Sequence, residues 1–310
     1  MYRAAVQRVL LVANPAASGF TGALHRNVTK VLSDRFLVDA VWPTSPAENT
    51  RMCADAAKDG FYAVIAMGGD GVVHHAANGV ANTATALGII PAGTTNVVAR
   101  IYGMPRKAVA CAEALTTGRL ATAPLAHIAT SSGTGARSTH AVFAAGIGYD
   151  ADMVALADQR PTSKYYFGAV HYARSAANAL LTEYRNRPAN LSVTCDGERL
   201  DAVAVLVQVH DPFTYFGRLP LRLTNKNVLG LSVLVIESLA LARSIPILLR
   251  STAGRGLDKV KGVHLLQDPT KIVVEADPPS RYQADGELLG STDWIEITPE
   301  PHGLLTLVPS

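Results

Sequence analysis

Short, continuously apolar runs alternate with stretches of helical spacing through the first third of the chain. Residues 9–13 read as a buried strand, broken by Asn14-Pro15-Ala16-Ala17-Ser18-Gly19. Residues 24–32 carry helical spacing, 36–41 a second strand, 46–58 a second helix and 62–67 a third strand. Gly68-Gly69-Asp70-Gly71 follows at once, and 72–80 is again helical. A fourth strand, 86–90, ends in Pro91-Ala92-Gly93, before helical stretches at 97–102 and 106–115. Strands that are apolar on both faces and separated by helices predict a parallel sheet covered on both sides.

The pattern changes near 118–124. Strand-like runs then dominate, at 123–130, 140–146, 191–195, 202–209, 231–236, 271–275 and 294–298. Turn signals such as Asp196-Gly197 and Asp285-Gly286 bound several of them. One helical insert, 163–187, sits among the strands. The expected architecture is an α/β domain over 1–122 followed by an antiparallel β-sandwich over 123–290, with no internal repeat.

Composition narrows the function classes. The 310 residues hold 28 Lys+Arg against 25 Asp+Glu, are 48% hydrophobic and 17% charged. A disordered chain would show low hydrophobicity and high net charge. A net charge of +3 gives no broad basic field, so no nucleic-acid partner is expected. Cys53, Cys111 and Cys195 are odd in number and widely spaced, which speaks against a disulfide framework or a zinc site. No signal peptide is evident. The most apolar stretch, 231–249, is interrupted by Glu237, Arg243 and Pro246, against the ~20 apolar residues of a spanning helix. A soluble, cytoplasmic chain is expected, with contact at a membrane surface left open.

Chemistry concentrates in loops. Gly68-Gly69-Asp70-Gly71 stands between a buried strand and a helix. Glycines there let the backbone approach a ligand, and the helix start offers N–H groups to phosphate. A plain tight turn is the competing reading. Pro91-Ala92-Gly93-Thr94-Thr95-Asn96 repeats the arrangement, although Thr95 or Asn96 would also serve simply as a helix cap. Asn14 to Gly19 is a third polar loop at a strand end. Three such loops at neighbouring strand ends describe one crevice suited to a nucleotide.

These segments resemble the diacylglycerol kinase catalytic domain and its relatives, the bacterial lipid kinases, sphingosine kinases and ceramide kinases. The resemblance runs in order through Asn14–Gly19, then Gly68 to Gly79, then Gly88 to Asn96. It continues with Gly146-Ile147-Gly148-Tyr149-Asp150-Ala151 and ends at Asp285-Gly286-Glu287. It implies an ATP-dependent transfer of phosphate to a lipid hydroxyl with Mg²⁺, on a nucleotide domain followed by a lipid-binding sandwich. The segment 291–310 is then expected to return to the first domain. By the resemblance, Asn14, Ser18, Gly68, Gly69, Asp70, Gly71, Val72, Val73 and His74 cradle the phosphates. Thr44, Gly93, Thr94, Thr95 and Asn96 complete the nucleotide site, and Lys164 takes the place of a phosphate-contacting arginine. Glu287 and Asp285 are the candidates for general base, with Asp70 a rival. Read alone, Asp285-Gly286-Glu287 is a hairpin turn with solvated acids. Asp150 and Asp152 are candidates for the lipid head group or a metal, with capping of the next helix as the plain alternative.

Departures from the pattern matter. Val72 stands where bacterial members carry threonine, His75 where a glutamate is usual, and Val97 where aspartate commonly follows Asn96. The loop near Ser18 lacks its usual basic residue, and Phe20 follows Gly19. Lys226 falls where a structural Mg²⁺ would find its aspartate, so that metal is expected to be lost. A weak kinase, or a lipid- or nucleotide-binding protein of the same fold, is therefore an alternative, as is an NAD kinase. Two segments combine cations with apolar side chains, 160–187 and 243–261, a composition that suits an anionic membrane surface and equally two ordinary helices. Oligomeric state stays open, a dimer included, as does the identity of the lipid.

Overall fold

The computed structural model describes residues 6–132, 135–158, 184, 187–225, 230–239 and 241–310. Lys164, Lys226 and almost all of 160–187 lie outside the described residues. The chain forms two compact units, one of residues up to Ala123 together with His302–Ser310, the other of Pro124–Pro301.

The first unit alternates strands and helices: β1 (Arg8–Ala13), α1 (Gly22–Ser33), β2 (Leu37–Val41), α2 (Pro46–Lys58), β3 (Ala63–Gly68), α3 (Asp70–Val80), β4 (Ala86–Pro91), α4 (Val97–Ile101) and α5 (Ala108–Thr116). The strands are parallel, in the order β2, β1, β3, β4, and Thr306 near the chain end pairs with Leu87 beyond β4. The side chains of β3 and nearly all of β1 are buried, which the continuous apolar runs require. Helices cover them in pairs, α1 with α5 and α2 with α3. At the second pair a Cβ on Gly79 would stand 2.5 Å from the Cβ of Cys53, so only glycine lets the two helices approach this closely. Helix α2 starts at Ser45, whose Oγ accepts from the Glu48 N–H at 3.2 Å. Such a cap contributes about 1 kcal/mol.

The second unit is antiparallel. Its elements are β5 (Arg119–Ser132, which enters from the first unit), β6 (Gly135–Ala141), β7 (Ala144–Gly148), α6 (Tyr149–Asp158), β8 (Leu191–Cys195), β9 (Glu198–Ala202), β10 (Ala204–Gln208), β11 (Thr214–Phe216), β12 (Leu219–Leu221), β13 (Ser232–Ile236), α7 (Leu241–Ala253), β14 (Val263–Gln267), β15 (Ile272–Ala284) and β16 (Glu287–Val308, whose last residues belong to the first unit). The strands run β14, β13, β10, β7, β15, with β16, β8 and β9 joined through β15. Ile147, Val193, Val205, Val233, Val274 and Ile295 belong to one apolar core.

Two expectations are corrected here. The run 140–146 is not one strand: β6 ends at Ala141 and β7 begins at Ala144. The run 271–275 is the start of a longer strand whose pairing with β16 breaks between Glu275 and Ser280. Pro278 and Pro279 stand in that gap and have no N–H to donate. Before the break β15 pairs with β8, after it with β7. All three cysteines are buried and free, and burial raises the thiols of Cys53 and Cys111 to about 12.

Candidate functional site

In the first unit the three polar loops meet. The Gly19 N–H donates to the Ala92 carbonyl at 2.8 Å, the Ala92 N–H to the Gly68 carbonyl at 2.9 Å, and the Asn14 N–H to the Met67 carbonyl at 3.3 Å. Gly93 and Gly69 touch backbone to backbone, since a Cβ on Gly93 would fall 2.6 Å from the Gly69 Cα. The Asn96 amide clasps its own loop: Oδ1 accepts from the Gly93 N–H at 2.9 Å, and Nδ2 donates to the Gly93 carbonyl at 2.7 Å. Asn96 has φ +49 and no capping bond from its side chain, so it closes a loop rather than capping α4. The cap comes from elsewhere, because Asp70 Oδ1 accepts from the Val98 N–H at 3.1 Å. Asp70 thereby ties the start of α3 to the start of α4, which the sequence gives no means to foresee.

Helix α3 has Gly69 at its N-cap and no side-chain cap. The first-turn N–H groups of a helix have no intrahelical acceptor and carry the positive end of the dipole. Asp70, Gly71 and Val72 occupy that turn. The Val73 N–H is already used by the Gly69 carbonyl at 3.3 Å. The side chains of Val73 and His74 are buried. His74 stands edge-on to His75 and beside Asn78, with its ring buried. Val72 lies over Gly68, where a threonine hydroxyl would otherwise stand. Thr44 follows β2, with its N–H and Oγ1 both 2.7 Å from Glu48 Oε2. Those two hydrogen bonds, its first the side-chain one, hold the Glu48 carboxyl below its ordinary range. The structure thus brings Asn14, Ser18 to Gly19, Gly68 to Val72 and Gly93 to Asn96 into one laced set of loops.

A groove of about 830 Å³ leads away from this set along α1, with Phe20, His25, Arg26, Lys30 and Trp42 among its lining residues. The His25 ring lies between Phe20 and Trp42, with centroids at 5.9 and 5.1 Å. His25 Nε2 is buried without a hydrogen-bond partner, and burial lowers the ring's affinity for a proton. None of these residues was a sequence candidate. The spacing of His25, Thr29 and Ser33 on one helix face is their only trace in the sequence.

The second unit holds the remaining acids. Asp285-Gly286 is a two-residue hairpin turn between Ala284 and Glu287, with φ +55 and +81. Positive φ at both positions is what this class of turn demands. The turn reading is correct, but Asp285 is not solvated. Its buried carboxylate accepts from the backbone N–H groups of Val142, Phe143 and Ala144, at 2.8, 2.8 and 3.2 Å. Both oxygens of Asp285 are engaged in holding the turn to the connection between β6 and β7. Glu287 is half-buried at the start of β16. His210 lies near Asp285. Burial is the main cause that lowers its pKa to about 4, while Asp285 and the Pro124 carbonyl act in the opposite sense.

Asp150 and Asp152 both turn inward, and neither is left to solvent. Asp150 Oδ2 accepts from Gln283 Nε2 at 2.6 Å, and Gln283 Oε1 accepts from the Gly286 N–H at 2.8 Å. A Cβ at position 146 would fall 1.9 Å from Asp150 Oδ2, so Gly146 makes room for this carboxylate. Burial raises the Asp150 pKa to about 6, and the Gln283 bond works against that rise. Asp152 receives Arg281 at 2.7 Å, Arg187 at 3.5 Å and the Tyr184 hydroxyl. Tyr184 and Arg187, two members of the basic and aromatic segment 160–187, both contact Asp152. Among the described residues no group of three His, Cys, Asp or Glu is arranged to hold a metal ion.

The profile of the diacylglycerol kinase catalytic domain matches residues 8–128. A diacylglycerol kinase of Bacillus subtilis is 41% identical over 66 residues, which is 21% of this chain and 22% of that protein. An uncharacterized protein of Synechocystis is 24% identical over 266 residues, 83% of this chain and 56% of its own, so the chain spans just over half of that relative's length. The crystal structure of a candidate diacylglycerol kinase from Bacillus anthracis superposes with a TM-score of 0.76 at 22% identity, covering 97% of this chain and 95% of the other. At that identity the superposition establishes the shared fold.

Proposed function

We propose, from the match of residues 8–128 to the diacylglycerol kinase catalytic domain, that this chain is an ATP-dependent kinase whose acceptor is the hydroxyl of a diacylglycerol-like or sphingoid lipid. The observation that carries the reading is the closure of three strand-end loops on one another through Gly19, Gly69 and Gly93. Such a cradle suits phosphate, because the first-turn N–H groups of α3 have no intrahelical acceptor and the glycines beside them let a ligand come close to the backbone. Bound Mg-ATP would supply the phosphoryl group and the metal that offsets its charge. The first turn of α3 and the loop of Gly93 to Asn96 would hold the phosphates, with Thr94 adding a hydroxyl. The aromatic groove of Phe20, His25 and Trp42 is the natural wall for the base.

Of the three carboxylates put forward as base, Glu287 is the one we assign. Asp70 Oδ1 accepts from the Val98 N–H and ties two helix starts together, and Asp285 is buried and holds three backbone N–H groups, whereas Glu287 is half-buried. Glu287 would take the proton of the acceptor hydroxyl, and ATP, when bound, would supply the phosphoryl group. Asp150 and Asp152 position the hairpin through Gln283 and Arg281 and do not meet the head group themselves.

The test is γ-phosphate transfer from radiolabelled ATP with Mg²⁺ to diacylglycerol, ceramide, sphingosine and monoacylglycerol in mixed micelles, with NAD as a parallel acceptor. Transfer to one lipid is expected, reduced about 10²–10⁴-fold by Glu287→Gln. Transfer to NAD alone would replace the lipid reading. ATP binding without transfer to any acceptor would make the chain a binding protein of this fold.

A further inference from the structure

The second unit carries an apolar patch that its own core leaves uncovered. Among the described residues ten large hydrophobic side chains are exposed, and five of them lie on two elements that pack together. Ile245, Leu248 and Leu249 are 56%, 56% and 64% exposed on α7, and Phe216 and Leu219 are 41% and 47% exposed on the β11–β12 hairpin. On α7 the three fall at i, i+3 and i+4, which places them on one face. The segment after β12 is fastened to the end of α7 by backbone bonds, Arg222 N–H to Ser251 carbonyl at 2.8 Å and Asn225 N–H to Gly254 carbonyl at 2.9 Å. The patch is therefore a built surface and not two independent loops.

Charge around it is mostly positive. Arg218 at the hairpin tip and Arg255, Lys259 and Lys261 after α7 are exposed, against Asp258 as the one acid within 241–261. Asp211, the nearest acid before the hairpin, is already paired with Arg222 at 2.7 Å. A buried protein partner would have to desolvate these lysines. An anionic bilayer takes apolar side chains below its headgroups while lysine and arginine stay at the charged surface.

We infer that α7 and the tip of the β11–β12 hairpin form the surface by which this protein docks on an anionic membrane. Ile245, Leu248, Leu249, Phe216 and Leu219 enter the interface, and Arg218, Arg255, Lys259 and Lys261 pair with lipid headgroups. The inference gives the lipid-kinase reading its route to substrate and rests on that reading for its purpose. Its physical content is independent of turnover.

The experiment is sedimentation of the full chain with vesicles of phosphatidylcholine alone and of phosphatidylcholine with phosphatidylglycerol, at low and high salt. Two variants run beside it, Ile245→Ser/Leu248→Ser/Leu249→Ser and Arg255→Glu/Lys259→Glu/Lys261→Glu. All six positions are at the surface, and equal melting temperatures will show that both variants fold. Binding to the anionic vesicles alone is expected, weakened by salt and reduced about tenfold or more in each variant. In micellar assays both variants should keep wild-type transfer while losing it on vesicles. Wild-type binding in both variants, or no binding of the parent chain to anionic vesicles, overturns the proposal. A parent dimer that the serine variant turns into a monomer would assign the face to a second copy and also overturn it. If no lipid is phosphorylated but the vesicle results hold, the kinase reading fails and the docking surface stands.

Discussion

At the scale of single residues, the Asp285-Gly286-Glu287 turn divides its labour. Asp285 receives three backbone N–H groups, those of Phe143 and Ala144 on Oδ1 and that of Val142 on both oxygens. Asparagine has one acceptor oxygen, and its NH₂ would oppose N–H donors. Asp285→Asn is therefore expected to cost about 1–3 kcal/mol, measured by urea unfolding, because it sets a side-chain NH₂ against the buried Val142 N–H. Glu287→Gln at a half-buried strand start should stay within about 0.5 kcal/mol of the parent. Equal stability losses in the two variants would refute this division.

At the scale of elements, the contact of Gly69 with Gly93 joins the strand end of β3 to that of β4. No side chain fits there, since a Cβ on Gly93 would meet the Gly69 Cα at 2.6 Å and Asn96 Oδ1 at 3.0 Å. Gly93→Ala must open the junction of the loops while leaving the sheet paired. ATP is expected to raise the melting temperature of the parent chain, as any ligand of the folded state does. In Gly93→Ala that shift should vanish at the same ATP concentration, with the ligand-free melt only modestly lowered. An unchanged shift would mean that phosphate is held elsewhere.

At the scale of the whole molecule, buried Asp150 and half-buried His210 of the second unit set opposing pH dependences. Asp150 is raised from 3.8 to about 6, so the folded chain binds its proton first as pH falls. Its burial penalises the folded state fully above pH 6, and that penalty is relieved as pH drops towards 4. His210 is lowered from 6.5 to about 4, so the unfolded chain binds the proton first. Its contribution is constant above pH 7 and turns against the fold as pH drops from 6.5 to 4. Asp150→Asn keeps an acceptor for Gln283, and its stability relative to the parent should rise from near zero at pH 4 to about 2 kcal/mol at pH 7. His210→Gln should show the opposite slope, gaining on the parent as pH falls. Denaturant melts at half-unit pH steps will separate the two curves, and parallel curves for parent and both variants would reject the assignment.

Local chemistry determined much of this protein. Apolar runs followed by glycine and polar residues marked β1, β3 and β4 with their loops, because burial on both faces and close backbone approach each demand particular residue types. The Asp285-Gly286 turn was equally legible, since two consecutive positive φ angles favour those two residues. The tertiary structure decided which of these residues remain available. Asp70 is occupied by an N–H in another helix, and Asp285 by donors up to 143 residues earlier in the chain. His74 reads as part of a helix start, and its side chain is buried. His25, Phe20 and Trp42 share a groove only because α1 lies along β2. Hydrogen-bond partners and burial are set by long-range packing, and no spacing along the chain encodes which distant backbone group will claim a given carboxylate.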